Sequence, residues 1–162
     1  MIMKTLLWVD DARNPMEDDW MNFSPIGRNC KVVWAQSYQE AIDFLEKEWP
    51  DAICLDHDLG EEKSGYDIAK YIVDKCIDEG KTLPEFASQS ANPVGRENIL
   101  NLFNNYCKFK KKELLDHIKY VVEYKAEWKN CVRNNKPLPK WKKLTPGEIK
   151  GSCIKIRDRL IK

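Results

Sequence analysis

No run in this chain approaches the ~18 consecutive apolar residues that a membrane helix needs, so no membrane partner is expected. The first residues lack the charged, apolar and small-residue order of a signal peptide, which points to the cytoplasm. No C-x-x-C pair occurs among the six cysteines: Cys30, Cys54, Cys76, Cys107, Cys131 and Cys153. That spacing argues against a zinc ribbon or a disulfide framework, and for reduced thiols. Repeats and low-complexity tracts are absent, and no fifth strand is evident.

What is present is a divided charge. A net charge of +1 over 162 residues conceals two opposed halves. Residues 107–162 hold 17 Lys/Arg against 6 Asp/Glu, whereas residues 1–106 hold 10 against 20. The length suits one core domain with an extension. The shift in charge predicts a domain over 1–106 and a basic helical extension over 107–162. The two parts could attract one another, or the basic part could meet a polyanion.

Residues 5–10, 31–35, 52–57 and 86–90 read as short strands, rich in apolar residues. Between them lie helical signals. Ser37 and Glu40 form a capping box before a helix that Pro50 ends. Ser64 and Asp67 form a similar one before Ile68, Ile72, Val73 and Cys76, with Gly80 suited to the C-terminus. Asn92-Pro93-Val94-Gly95 turns into a helix carrying Ile99, Leu102, Phe103 and Tyr106. The segment after Asp11 reads as loop or short helix. Alternation of this kind predicts an α/β fold with a doubly wound parallel sheet.

Carboxylates close two of these strands. Thr5-Leu6-Leu7-Trp8-Val9 runs into Asp10-Asp11, and Ala52-Ile53-Cys54-Leu55 runs into Asp56-His57-Asp58. In open α/β sheets, ligands sit in the crevice beyond the carboxyl ends of the strands. Two adjacent strands ending this way would gather four carboxylates there. Like charges that close repel, and a cation is the usual reason to gather them.

Three stretches carry a family resemblance: L-W-V-D-D-A-R-N-P at 7–15, D-A-I-C-L-D-H-D-L-G at 51–60 and S-Q-S-A-N-P-V-G-R-E-N-I at 88–99. They resemble the response-regulator receiver domains, and more closely the cyclic-phosphate processing receiver domain of phage and bacterial proteins. The resemblance covers residues 5–106 and implies a receiver-like, flavodoxin-type fold. It places a phage-encoded copy in the host cytoplasm. It implies Mg²⁺ (or Mn²⁺) held by Asp10, Asp11, Asp56 and the backbone carbonyl of Asp58. Asp56 is the matching nucleophile or phospho-acceptor, and His57 or Asp58 would move protons. Ser90, Asn92, the turn at Gly95 and Arg13 would bind phosphate oxygens. Two departures stand out. Gln89 occupies a position where the family leads one to expect His, and no receiver-type Lys follows a fifth strand. Arg13 is the better substitute for that Lys, with Arg96 as the other choice.

In the basic extension, Leu114, Leu115, Ile118, Val121, Val122, Lys125 and Trp128 follow a helical stripe. Residues 134–144 read as loop, and Thr145-Pro146-Gly147-Glu148 starts a helix with Ile149, Cys153, Ile156 and Leu160 on one face. Lys108, Lys110, Lys111, Lys112, Lys140, Lys142 and Lys143, with Trp128 and Trp141 among them, could meet nucleic acid; the plainer reading is a solvated face.

The leading functional expectation is a Mg²⁺-dependent phosphoesterase acting on a cyclic or nucleotide phosphate. The first alternative is a non-catalytic receiver-like module that binds a phosphate-containing small molecule or nucleotide signal. The second is a nucleic-acid-binding or interaction protein working through the extension. A haloacid-dehalogenase phosphatase fits less well, because its D-x-D normally ends the first strand, not the third.

Overall fold

The structure, a computed structural model, describes residues 3–137. The helix expected from Thr145, the tryptophan at 141 and the lysines at 140, 142 and 143 lie outside the described residues. Four strands form one sheet: β1 (Thr5–Val9), β2 (Lys31–Ala35), β3 (Ala52–Leu55) and β4 (Glu85–Ser88). All neighbours are parallel, in the order β2-β1-β3-β4. That is the flavodoxin-type order, with its switch point between β1 and β3. The helices are α1 (Tyr38–Lys47), α2 (Gly65–Asp78) and α3 (Pro93–Arg133), and a 3-10 turn spans Trp20–Phe23. No fifth strand occurs among the described residues.

The strands form where the apolar runs predict them, because both faces of the sheet are covered. Leu7, Val9, Ile53 and Leu55 enter the larger core with Leu45 of α1, Ile68 and Ile72 of α2, and Ile99 and Phe103 of α3. Leu6, Trp8, Ala52 and Cys54 alternate to the other face. There they pack with Met21, Trp20 and Ile26 of the segment between β1 and β2. Phe86 of β4 meets Phe103 with ring centroids 4.9 Å apart.

Helix starts follow their caps. Ser37 Oγ accepts from the Glu40 amide, while the Glu40 carboxylate takes the Gln36 amide rather than that of Ser37. Ser64 donates both its amide and its hydroxyl to Asp67 Oδ2. Burial works against that carboxylate, but hydrogen bonds from Lys70 and Ser64 outweigh it and hold its pKa at about 2. At α3, Asn92 Oδ1 accepts from the Gly95 amide and Pro93 takes the first turn.

Boundaries differ in two places that matter for the site. β3 ends at Leu55 and β4 at Ser88, so Asp56, His57, Gln89 and Ser90 stand beyond the strand ends. α3 passes residues 106 and 107 without a break. Its last buried side chain is Tyr106, and Leu114, Leu115, Ile118, Val122, Trp128 and Val132 are exposed.

Candidate functional site

The acidic group is pinned by ladder bonds that continue one residue past the strands. The Asp10 amide donates to the Ala35 carbonyl at 3.1 Å, and the Asp56 amide donates to the Val9 carbonyl at 2.8 Å. Asp10 is 0% exposed and Asp56 5%. Asp10 Oδ1 accepts from the amides of Ala12 at 3.0 Å and Arg13 at 2.6 Å. This turn folds the chain back so that the Arg13 guanidinium reaches the crevice. Its Nη1 lies 3.4 Å from Asp10 Oδ2, 3.2 Å from Asp56 Oδ2 and 3.4 Å from the Gln89 carbonyl oxygen.

A metal fits this pocket. Single carboxylate oxygens of Asp10, Asp11 and Asp56 lie within 4.8 Å of one another. Asp56 Oδ1 is buried with no hydrogen-bond partner among the described residues. A buried carboxylate oxygen left without a donor is costly, and a cation satisfies it. Three carboxylates against one guanidinium also leave a formal charge of about −2. Hard oxygen donors of this kind suit a hard divalent cation. Asp10, Asp11 and Asp56 can therefore hold a divalent ion.

Asp58 belongs to a second group. Its carboxylate is exposed and lies 2.7 Å from His57 Nδ1. Asn92 Nδ2 donates to both Asp58 oxygens, at 3.4 and 3.2 Å. These bonds, from His57 first and Asn92 second, hold the Asp58 carboxyl below the usual carboxylate range. An ionised Asp58 accepts a proton-bearing Nδ1, which leaves Nε2 of a neutral His57 as an acceptor.

Two glycines make this crowding feasible. A Cβ on Gly65 would stand 1.7 Å from the Asp56 carbonyl oxygen, and one on Gly95 would stand 2.2 Å from His57 Cγ. The first turns of α2 and α3 therefore close directly on the end of β3. Ser90 is buried, and its Oγ accepts from the Asn92 amide at 3.2 Å. The Gly95 amide is engaged by Asn92 Oδ1. Of the residues singled out in the sequence, Asp10, Asp11, Asp56 and Arg13 come together. His57, Asp58, Asn92 and Gly95 form the adjacent group, with Ser90 tied to it. Arg96 is exposed on the first turn of α3.

Further residues hold the site through bonds that the sequence does not show. Gln89 is buried, and its Nε2 donates to the Val9 carbonyl at 2.9 Å and to Asp10 Oδ2 at 3.3 Å. Cys54 Sγ donates to Gln89 Oε1 at 2.9 Å, and burial, then the Asp10 charge, pushes that thiol up. Trp34 Nε1 donates to the Asp10 carbonyl and Trp8 Nε1 to the Arg13 carbonyl. The Arg13 guanidinium also lies 5.1 Å from the Trp20 ring centroid.

The family model described as the cyclic-phosphate processing receiver domain matches residues 5–105. No curated protein matches the chain. Among solved structures, a chain titled as the yeast Spc42 trimeric coiled-coil, amino acids 181–211, fused to another structure, is 18% identical with a TM-score of 0.40. The likeness covers 76% of this chain and 95% of that one.

Proposed function

The chain belongs to the cyclic-phosphate processing receiver domain family, and from that premise we propose that it is a metal-dependent phosphoesterase acting on a cyclic or nucleotide phosphate. The observation that carries the reading is Asp56. One of its oxygens is paired with Arg13, while the other is buried with no hydrogen-bond partner among the described residues and lies beside two further carboxylates. When bound, Mg²⁺ or Mn²⁺ would neutralise phosphate charge and activate water or the scissile ester.

The chain's own groups divide the remaining work. Asp10, Asp11 and Asp56 hold the cation, with the Asp58 carbonyl as a further donor. Arg13 offers a planar fork to phosphate oxygens. Ser90, Asn92 and the first turn of α3 at Gly95 face anions through a hydroxyl, an amide and the helix N-terminus. His57 accepts a proton at Nε2, and Asp58 stabilises the imidazolium that results. In the covalent variant, an Asp56 carboxylate oxygen attacks phosphorus as the P–O ester bond breaks and the departing ester oxygen takes a proton; water then attacks the acyl phosphate, freeing the carboxylate and the phosphate product.

The test is hydrolysis of bis-p-nitrophenyl phosphate and 2′,3′-cyclic nucleotides with Mg²⁺ or Mn²⁺. Activity is expected, with a loss of about 100-fold or more in Asp56→Asn. A second reading, a non-catalytic phosphate or nucleotide sensor, is favoured by Gln89. That side chain is fully engaged with Val9, Asp10 and Cys54, and an amide does not shuttle protons at neutral pH. Tight ligand binding with no turnover across the panel selects the sensor.

A further inference from the structure

Arg13 raises a question that phosphate binding alone does not answer. Its Nη1 is committed inside the pocket, to Asp10, Asp56 and the Gln89 carbonyl. Two buried carboxylates side by side need a counter-cation, because unpaired buried charge is severely penalised. Arg13 supplies it. The same carboxylates are the ones a divalent ion needs.

The oxygen inventory shows where the two cations collide. Asp10 Oδ1 already accepts two backbone amides, so its lone pairs are taken. Asp10 Oδ2 accepts from Gln89 Nε2 and Arg13 Nη1. An ion that draws on Asp10 therefore takes over an oxygen that Arg13 now holds. It also neutralises the Asp56 charge that retains the guanidinium. The displaced group has a place to go. Arg13 is about a quarter exposed and its guanidinium already lies 5.1 Å from the Trp20 ring centroid, so both solvent and an aromatic face are within its reach.

We propose that Arg13 is the pocket's built-in counter-cation, exchanged by a divalent metal. Metal binding at Asp10, Asp11 and Asp56 frees the guanidinium to engage a phosphate oxygen of the substrate. The metal and the phosphate site are thus coupled. Without metal, Arg13 closes the pocket and is unavailable to substrate; with metal, it is released as a bidentate phosphate ligand. This inference rests on the metal-binding part of the proposed function, but not on turnover.

The experiment is a Mg²⁺ titration of the whole chain by calorimetry and tryptophan fluorescence, needing no substrate. Removing a competing internal cation should tighten Mg²⁺ binding by roughly tenfold or more in Arg13→Ala. The metal-free variant should melt lower than the native chain and regain more on adding Mg²⁺. Arg13→Gln keeps an amide donor without the charge, and should behave alike if the alanine variant does not fold. The native chain should show a Mg²⁺-dependent fluorescence change that Trp20→Phe diminishes, the remainder coming from Trp8 and Trp34, whose indoles bond the Arg13 and Asp10 carbonyls. Equal or weaker Mg²⁺ binding in both Arg13 variants, with binding intact in the native chain, overturns the exchange alone. Absence of binding in all forms overturns the metal reading itself.

Discussion

His57 and Gly95 illustrate how tightly single residues are specified around this site. The imidazole occupies the space a side chain at 95 would need, since a Cβ there falls 2.2 Å from Cγ. Gly95→Ala must therefore displace the ring or lift the first turn of α3. Overpacking of this kind costs about 1–3 kcal/mol. Removing the imidazole relieves the two tightest contacts, at Cγ and Cδ2, and leaves only the residue 57 Cβ at 2.7 Å, so His57→Ala with Gly95→Ala should be less destabilised than the sum of the two single variants. Urea denaturation of the four-member cycle measures the coupling, and additivity within error contradicts the contact. The acidic residues and Arg13 were legible in the sequence because strand-end position and charge are local signals. The contacts of Gln89, Cys54 and Trp20 were not. Their bonds cross between chain segments, as from Cys54 to Gln89 and from Arg13 to Trp20, and depend on sheet register and loop path. In the sequence Gln89 is only a departure from a family pattern; its buried bonds to Val9 and Asp10 emerge once β4 lies beside β3.

Elements were more legible than contacts. Leu6 to Val9, Val32 to Ala35 and Ala52 to Leu55 are apolar runs bounded by polar residues, and each forms its strand. The capping signals at Ser37, Ser64 and Asn92 mark the three helix starts. What local pattern misses is the covering of the second sheet face, done by a 3-10 turn and loop whose sequence has no strong period. The α2 start also makes a pH prediction. The folded-state pKa of Asp67 is depressed to about 2, below the ordinary carboxylate value, so its contribution is fully present above pH ~4. It is lost as pH falls from there through about 2. Asp67→Asn should therefore cost about 1 kcal/mol near neutral pH, with the deficit shrinking as the pH is lowered over that window. Paired thermal melts from pH 7 to about 2 would reveal it, and a deficit independent of pH would count against the charge of Asp67 as its source.

For the whole molecule, the division of charge near residue 107 coincides with a change in burial. Tyr106 is the last buried side chain of α3, yet the helix itself continues to Arg133. Helix formers without an intervening Pro or Gly keep the backbone regular across a compositional break, which composition cannot reveal. A chain ending after Lys110 retains every buried side chain described and should unfold cooperatively. One ending after Ile99 loses Leu102, Phe103 and Tyr106, at about 2–5 kcal/mol each, which approaches the whole stability of a small domain. Near-UV circular dichroism and urea melts compare the two; loss of cooperative unfolding in the longer one would mean that the exposed helix supports the core. The same helix has a mechanical consequence. Gly95, at its base, touches His57, and the buried stretch Ile99–Tyr106 is its bearing. From Leu102 the arm toward Gly95 is ~10 Å and the arm toward Arg133 is ~46 Å. A tilt about that bearing reaches the imidazole reduced roughly fourfold. The long helix is thus a lever geared down at the site, with the geometry to turn a coarse displacement at its far end into a sub-ångström adjustment beside the His57 ring.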